Sequence, residues 1–171
     1  MENIVLIGMP GAGKSTVGVL LAKALGYAFL DTDLVIQRRE GALLQSLVDS
    51  LGVEPFLDAE SAAIRSVDCQ RTVIAPGGSA VCRADAMEHL KRLGPVVYLR
   101  LPLEELETRL SNISSRGIAM APGETLADLY AFRAPLYQRW ADLTVDVGRG
   151  QSLEETVQAV LDTLRPDGGR T

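Results

Sequence analysis

The sequence predicts an α/β fold in which a parallel sheet of five strands is covered by helices. Two observations carry that expectation. Short apolar runs of strand length alternate along the chain with stretches of helical periodicity. The run Gly8-Met9-Pro10-Gly11-Ala12-Gly13-Lys14-Ser15-Thr16 stands between the first such strand and the first such helix, where a phosphate-binding loop belongs. At 171 residues the chain has the length of one domain, and no repeat, low-complexity tract or boundary divides it.

The elements follow in order. Ile4-Val5-Leu6-Ile7 is a fully apolar first strand. Residues 14–25 set Val17, Leu20, Leu21 and Ala24 on one helical face and stop at Gly26, a left-handed cap. Residues 27–30 read as the second strand, leading into Asp31-Thr32-Asp33. Two or three helices are expected between residues 34 and 70, broken at Gly41 and Gly52. Residues 72–75 form a third strand that ends in Pro76-Gly77-Gly78-Ser79. An amphipathic helix over 83–93, a strand over 96–101 and a helix over 103–110 come next. The segment 111–124 holds Gly117, Pro122 and Gly123 with little periodicity and reads as a mobile lid-like loop. Helicity resumes at Thr125, capped with Asp128, and runs to about Trp140. Residues 143–147 form the fifth strand. Ser152 and Glu155 make a capping box for a last helix ending at Leu164, and 165–171 read as a frayed tail.

Composition narrows the function. A hydrophobic fraction of 47% and a charged fraction of 23% are those of a globular chain. A net charge of -5 without a Lys/Arg run excludes a nucleic-acid or anionic-membrane partner and leaves a small anionic ligand in a locally positive pocket. No apolar run approaches membrane-spanning length, and the first residues enter a strand directly, so a cytoplasmic monomer is expected. Cys69 and Cys82 form no CxxC and have no histidine cluster beside them, so both are expected to be packed thiols. His89, the single histidine, is expected at the surface.

The spacing Gly8-x4-Gly13-Lys14-Ser15 supplies what a nucleoside triphosphate needs. Glycines let consecutive N–H groups turn inward around phosphate oxygens, and the following helix adds the positive end of its dipole. Gly11, Ala12, Gly13 and Thr16 belong to this cradle. Lys14 is expected on the β- and γ-phosphates and Ser15 on Mg²⁺, so the cofactors are ATP and Mg²⁺. Two classes then compete, a small-molecule kinase and a non-catalytic or regulatory nucleotide switch. The chain lacks an Asn-Lys-x-Asp guanine-reading motif and has no appended modules. A compact chain with a closing segment suits phosphoryl transfer, because closure excludes water.

The phosphate loop, Phe29-Leu30-Asp31-Thr32-Asp33, Pro76-Gly77-Gly78 and Arg133-Ala134-Pro135-Leu136-Tyr137 together resemble the shikimate kinase family in order and spacing. The resemblance spans nearly the whole chain. It implies a phosphate-loop nucleoside-triphosphatase (P-loop NTPase) fold with helices on both sheet faces, a lid at about 111–124 and an acceptor-binding region at about 33–62. It also implies roles: Asp31 on Mg²⁺ through water, Asp33 as base for the acceptor hydroxyl, Arg109 on adenine, Arg116 on the transferring phosphoryl group and Arg133 on an acceptor carboxylate. Independently of the family, two carboxylates at i and i+2 that end a strand beside the phosphate loop lie where α/β sheets hold ligands. A planar guanidinium at 133 suits a carboxylate in a way that lysine does not.

The departures from the family cluster around the acceptor. The pattern Phe-Arg-x-x-Glu is Phe56-Leu57-Asp58-Ala59-Glu60 here, so Leu57 stands where a second carboxylate-binding arginine is expected. A triple glycine is Gly77-Gly78-Ser79, and the lid's Arg-Pro-Leu-Leu is Arg116-Gly117-Ile118-Ala119. Loss of one charge-assisted contact costs about 1.5–3 kcal/mol, or roughly ten- to hundredfold in affinity. An altered acceptor is therefore expected, an amino acid held by Arg133 and an acidic residue, with homoserine the leading candidate. Shikimate itself is the alternative, with Arg65 or Arg83 compensating.

Overall fold

In the computed structural model, residues 2–111 and 117–165 are described. They form a five-stranded sheet in the order β2-β3-β1-β4-β5, every pairing parallel. The strands are β1 (Ile4–Ile7), β2 (Ala28–Asp31), β3 (Thr72–Ala75), β4 (Val96–Arg100) and β5 (Leu143–Asp146). The helices are α1 (Lys14–Leu25), α2 (Thr32–Glu40), α3 (Leu44–Leu51), α4 (Val53–Arg65), α5 (Ala84–Leu93), α6 (Leu103–Ser111), α7 (Leu126–Trp140) and α8 (Leu153–Leu164). Every residue of β1 and β3 is buried, which is why neither strand alternates polar with apolar residues.

The strand order explains where the site lies. From β1 the chain moves outward to β2 by way of α1, then returns through β3 to β4 and β5. Right-handed crossovers put α1 on one face and the connections from β2 to β5 on the other. Accordingly α1 packs on β1, β3 and α8, while α5 packs on β1 and α4, and α7 packs on β4. The neighbours β1 and β3 thus send their helices to opposite faces. A crevice opens at the carboxyl ends of such a strand pair.

The expected boundaries differ from the structure by a residue at several ends. The second strand begins at Ala28, because the N–H of Tyr27 is spent on Ala22 O in the α1 cap around Gly26. It extends to Asp31, which pairs in register with Ala75. Arg83 is the N-cap of α5 and not its first turn. Both capping boxes form, Thr125 with Asp128 and Ser152 with Glu155. A second apolar cluster, made by Ile36, Leu44, Leu47, Val48, Phe56, Leu57, Ala63 and Ala119, sits apart from the main core and ties α2, α3 and α4 together. Cys69 and Cys82 are half-buried and unbridged. His89 is half-buried too, with Nε2 on Val67 O at 2.7 Å, so it serves the packing of α5.

Candidate active site

The crevice holds a cavity of about 420 Å³ whose walls come from the phosphate loop, the ends of β2 and β3, α4, α7 and residues 117–119. Its donor half is built on the start of α1. Gly13 is the N-cap, at φ +90, a left-handed conformation that side-chain-bearing residues rarely adopt. No side chain caps this terminus and no acidic residue stands in its first turn. The helix therefore presents open N–H groups to an anion. Gly11, Gly13, Lys14, Ser15 and Thr16 line the cavity. Ala12 does not: it is buried, and its N–H donates to Met9 O at 3.1 Å. That residue shapes the turn and does not face the phosphate site.

Lys14 Nζ donates to the carbonyl oxygens of Gly8 and Met9, each at 2.8 Å, which holds the amine over the loop. Burial pushes its pKa down to about 8, against the attraction of Asp33. Arg109 lies on the same loop, Nη1 near the carbonyls of Gly11 and Ala12 at 3.4 and 3.5 Å, and is steadied by Glu105 one turn earlier. Arg116 lies outside the described residues.

One side chain joins the two halves. Asp31 Oδ1 accepts the N–H of Asp33 at 2.9 Å, capping α2, and Asp31 Oδ2 accepts the Ser15 hydroxyl at 3.0 Å. The capping role and the placement beside the phosphate loop are thus both met. The Ser15 hydroxyl directly, and Asp31 through water, would hold Mg²⁺ at the cradle's mouth, where hard oxygen donors suit that ion. Among the described residues no cluster of three or more His, Cys, Asp or Glu could hold a metal unaided. Asp33 points into the cavity with its pKa raised to about 6 by burial first and by the neighbouring Asp31 second.

The acceptor half centres on Arg133 and Glu60. On α7, Leu129, Arg133 and Tyr137 are spaced four apart and all buried, so the helix turns this arginine inward. Arg133 is 2% exposed; Nη2 donates to Ala119 O at 3.1 Å and Nε has no hydrogen-bond partner among the described residues. Tyr137 donates its hydroxyl to Gly78 O at 2.6 Å and holds the Gly77-Gly78 turn. Glu60 is also 2% exposed and lines the cavity. Its Oε1 accepts the Ser79 hydroxyl at 2.6 Å. Burial raises its pKa to about 7, although the Ser79 hydrogen bond pulls the other way.

Leu57 is corrected as an acceptor contact. It is buried in the second apolar cluster and does not line the cavity. A long arginine can reach back from that position on α4; a leucine turns into the nearest apolar surroundings. Phe56 and Glu60, four residues apart, present the cavity-facing side of α4 instead. Glu60 is a candidate site residue that the motif Phe56-Leu57-Asp58-Ala59-Glu60 contains without marking it, and its spacing from Phe56 is the available signal. Neither compensating arginine reaches the cavity. Arg83 pairs with Glu54 at 2.6 Å and Asp58 at 2.9 Å, and Arg65 pairs with Asp85.

A loop of this form at a helix start, a parallel sheet in this order and a carboxylate beside it define a phosphate-loop phosphotransferase. The shikimate kinase family model matches residues 10–165. The chain belongs to the shikimate kinase family. It is 37% identical over 166 residues to the shikimate kinase of Nitrosomonas europaea, covering 95% of this chain and 78% of that one. It is 33% identical over 166 residues to human threonine synthase-like 1, covering 96% of this chain and 22% of that protein. The solved structure of shikimate kinase from Acinetobacter baumannii in complex with shikimate superposes with a TM-score of 0.84 at 35% identity, over 95% of this chain and 92% of that one. The chain is therefore an ATP-dependent phosphotransferase acting on a hydroxyl, with ATP and Mg²⁺ as in its family. When bound, Mg²⁺ neutralises charge on the β- and γ-phosphates. No described helix is long and apolar enough to cross a membrane.

Proposed function

We propose that this kinase phosphorylates the hydroxyl of a small amino acid, with homoserine the leading acceptor. The observation that carries the proposal is the charge arrangement of the acceptor half. One buried guanidinium, Arg133, shares the cavity with one buried carboxylate, Glu60, that forms no direct ion pair among the described residues. A buried carboxylate whose nearest cations form no direct ion pair with it is costly, and so is a buried donor such as Arg133 Nε with no partner among the described residues. A zwitterion relieves both, its carboxylate on Arg133 and its ammonium on Glu60. Homoserine adds a primary hydroxyl for Asp33.

In this reading Gly11, Gly13, Lys14, Ser15 and Thr16 hold the triphosphate, with Ala12 supporting the turn. Ser15 and Asp31 hold Mg²⁺. Asp33 takes the hydroxyl proton, and its pKa of about 6 keeps it ionised yet basic near neutrality. Lys14 and Arg116 stabilise charge on the transferring group, and Arg109 packs on the nucleotide base. Gly77 and Gly78 give the acceptor close access to backbone. Residues 33–62 with 117–119 bound the acceptor within a single domain of 171 residues. A cytoplasmic monomer accompanies this reading and is checked by sedimentation and fractionation.

Shikimate is the second reading. It is favoured by relatives named shikimate kinase over nearly the full chain and by the neighbour solved with shikimate. The two are separated by measuring ATP consumption with homoserine, shikimate, gluconate and no acceptor. Homoserine should give kcat/KM at least tenfold above shikimate. Shikimate turnover with a micromolar KM and none on homoserine would overturn the proposal.

A further inference from the structure

Ser79 stands apart from the residues that touch nucleotide or hydroxyl, yet it is 5% exposed and spends its hydroxyl on Glu60. The consequence lies in what the other carboxylate oxygen does. A Cβ placed on Gly77 would meet Glu60 Oε2 at 2.6 Å and Asp33 Oδ1 at 3.1 Å. Both oxygens therefore overhang one point above Gly77, which puts them within roughly 6 Å of each other. The short chain of homoserine spans such a gap between its ammonium and its hydroxyl. Without an anchor, a glutamate carboxylate rotates about its last torsion, which is broad and two-fold. With Oε1 fixed by Ser79, Oε2 stays over Gly77, on the side of Asp33 Oδ1.

We infer that Ser79 is a positioning residue for acceptor choice: through its hydrogen bond it holds Glu60 so that the free carboxylate oxygen receives the cationic group of the acceptor. The inference rests on the amino-acid reading of the site. It makes Ser79 and Leu57 two parts of one change. With leucine at 57, Glu60 forms no ion pair among the described residues, although Arg133 and Lys14 lie close enough to attract it, and a hydroxyl at 79 turns that carboxylate to the cavity. The third glycine of the family pattern has no hydroxyl with which to do this.

The test compares the parent enzyme with Ser79→Ala and Ser79→Thr at saturating ATP. The acceptor is homoserine, and 4-hydroxybutanoate, which lacks the ammonium, is measured as a competitor. Ser79→Ala should raise KM for homoserine about tenfold, the effect of losing one hydrogen bond to a charged group. It should leave kcat within twofold, and the inhibition constant of 4-hydroxybutanoate unchanged. Ser79→Thr, which keeps the hydroxyl, should restore most of the homoserine KM. An unchanged homoserine KM in Ser79→Ala overturns the inference. So does a parallel loss for both compounds, which marks a disturbed pocket and no ammonium-specific effect. Absence of homoserine turnover in the parent enzyme is a different failure, because it removes the acceptor reading itself.

Discussion

Glu60→Gln should stabilise the ligand-free protein while disabling its acceptor site. The carboxyl stands at about 7 against an ordinary 4.5, chiefly through burial. At about 1.4 kcal/mol per pH unit, ionised Glu60 costs the native state about 3 kcal/mol. The direction follows from proton counting. Between pH 4.5 and 7 the native protein keeps a proton that the unfolded chain has released, so stability falls as pH rises through that window. Glutamine keeps the shape and an acceptor oxygen for Ser79 without the charge. Urea denaturation of parent and variant, ligand-free, at pH 5.5, 7.0 and 8.5, measures the difference. The advantage of the variant should grow by about 2 kcal/mol between pH 5.5 and 8.5 and flatten above 7.5. A constant advantage, or a variant less stable than the parent at pH 8.5, would refute the idea that Glu60 sits as a destabilising buried charge. The same variant should lose homoserine affinity.

Three further outcomes follow from the geometry. Asp33→Asn should lower kcat by about 10²–10⁴-fold with ATP affinity within threefold, and the parent's kcat/KM should fall as pH drops through about 6, because the base must be ionised. Arg83→Ala should leave acceptor KM within twofold and stability within about 1 kcal/mol, since Arg83 is held by exposed Glu54 and Asp58; a tenfold rise in KM would give it the compensating role that the structure denies. Gly77→Ala should weaken acceptor use more than tenfold and spare ATP binding, measured by calorimetry, because its methyl would press on Glu60 Oε2 at 2.6 Å.

The donor half was legible in the sequence because its signals are local. A phosphate loop needs glycines, a lysine and a hydroxyl at fixed spacing, and the caps at Gly26, Thr125 and Ser152 are set by residues three or four apart. The acceptor half was legible only in part. Position 57 stood out as a departure, but where a side chain points from a helix depends on its length and on the apolar cluster beside it. Leu57 joins Ile36 and Phe56 in that cluster, and Glu60, one turn on, inherits the cavity wall. The Ser79–Glu60 contact joins residues nineteen apart through tertiary packing, and no periodicity announces it. Arg133 was found from its motif; its burial needed the stripe it shares with Leu129 and Tyr137.

Asp31 has a consequence for how such an enzyme can change its substrate. Its two oxygens grip Ser15 on one side and the backbone of Asp33 on the other. The gap between donor and acceptor is thus gauged by one short rigid strut at the end of β2, whatever molecule fills the far wall. On the proposed reading, residues 60 and 79 can be redrawn around a new acceptor without resetting the distance over which a phosphoryl group must pass. Alignment of the reacting partners, among the largest sources of rate acceleration, is in this way kept separate from recognition.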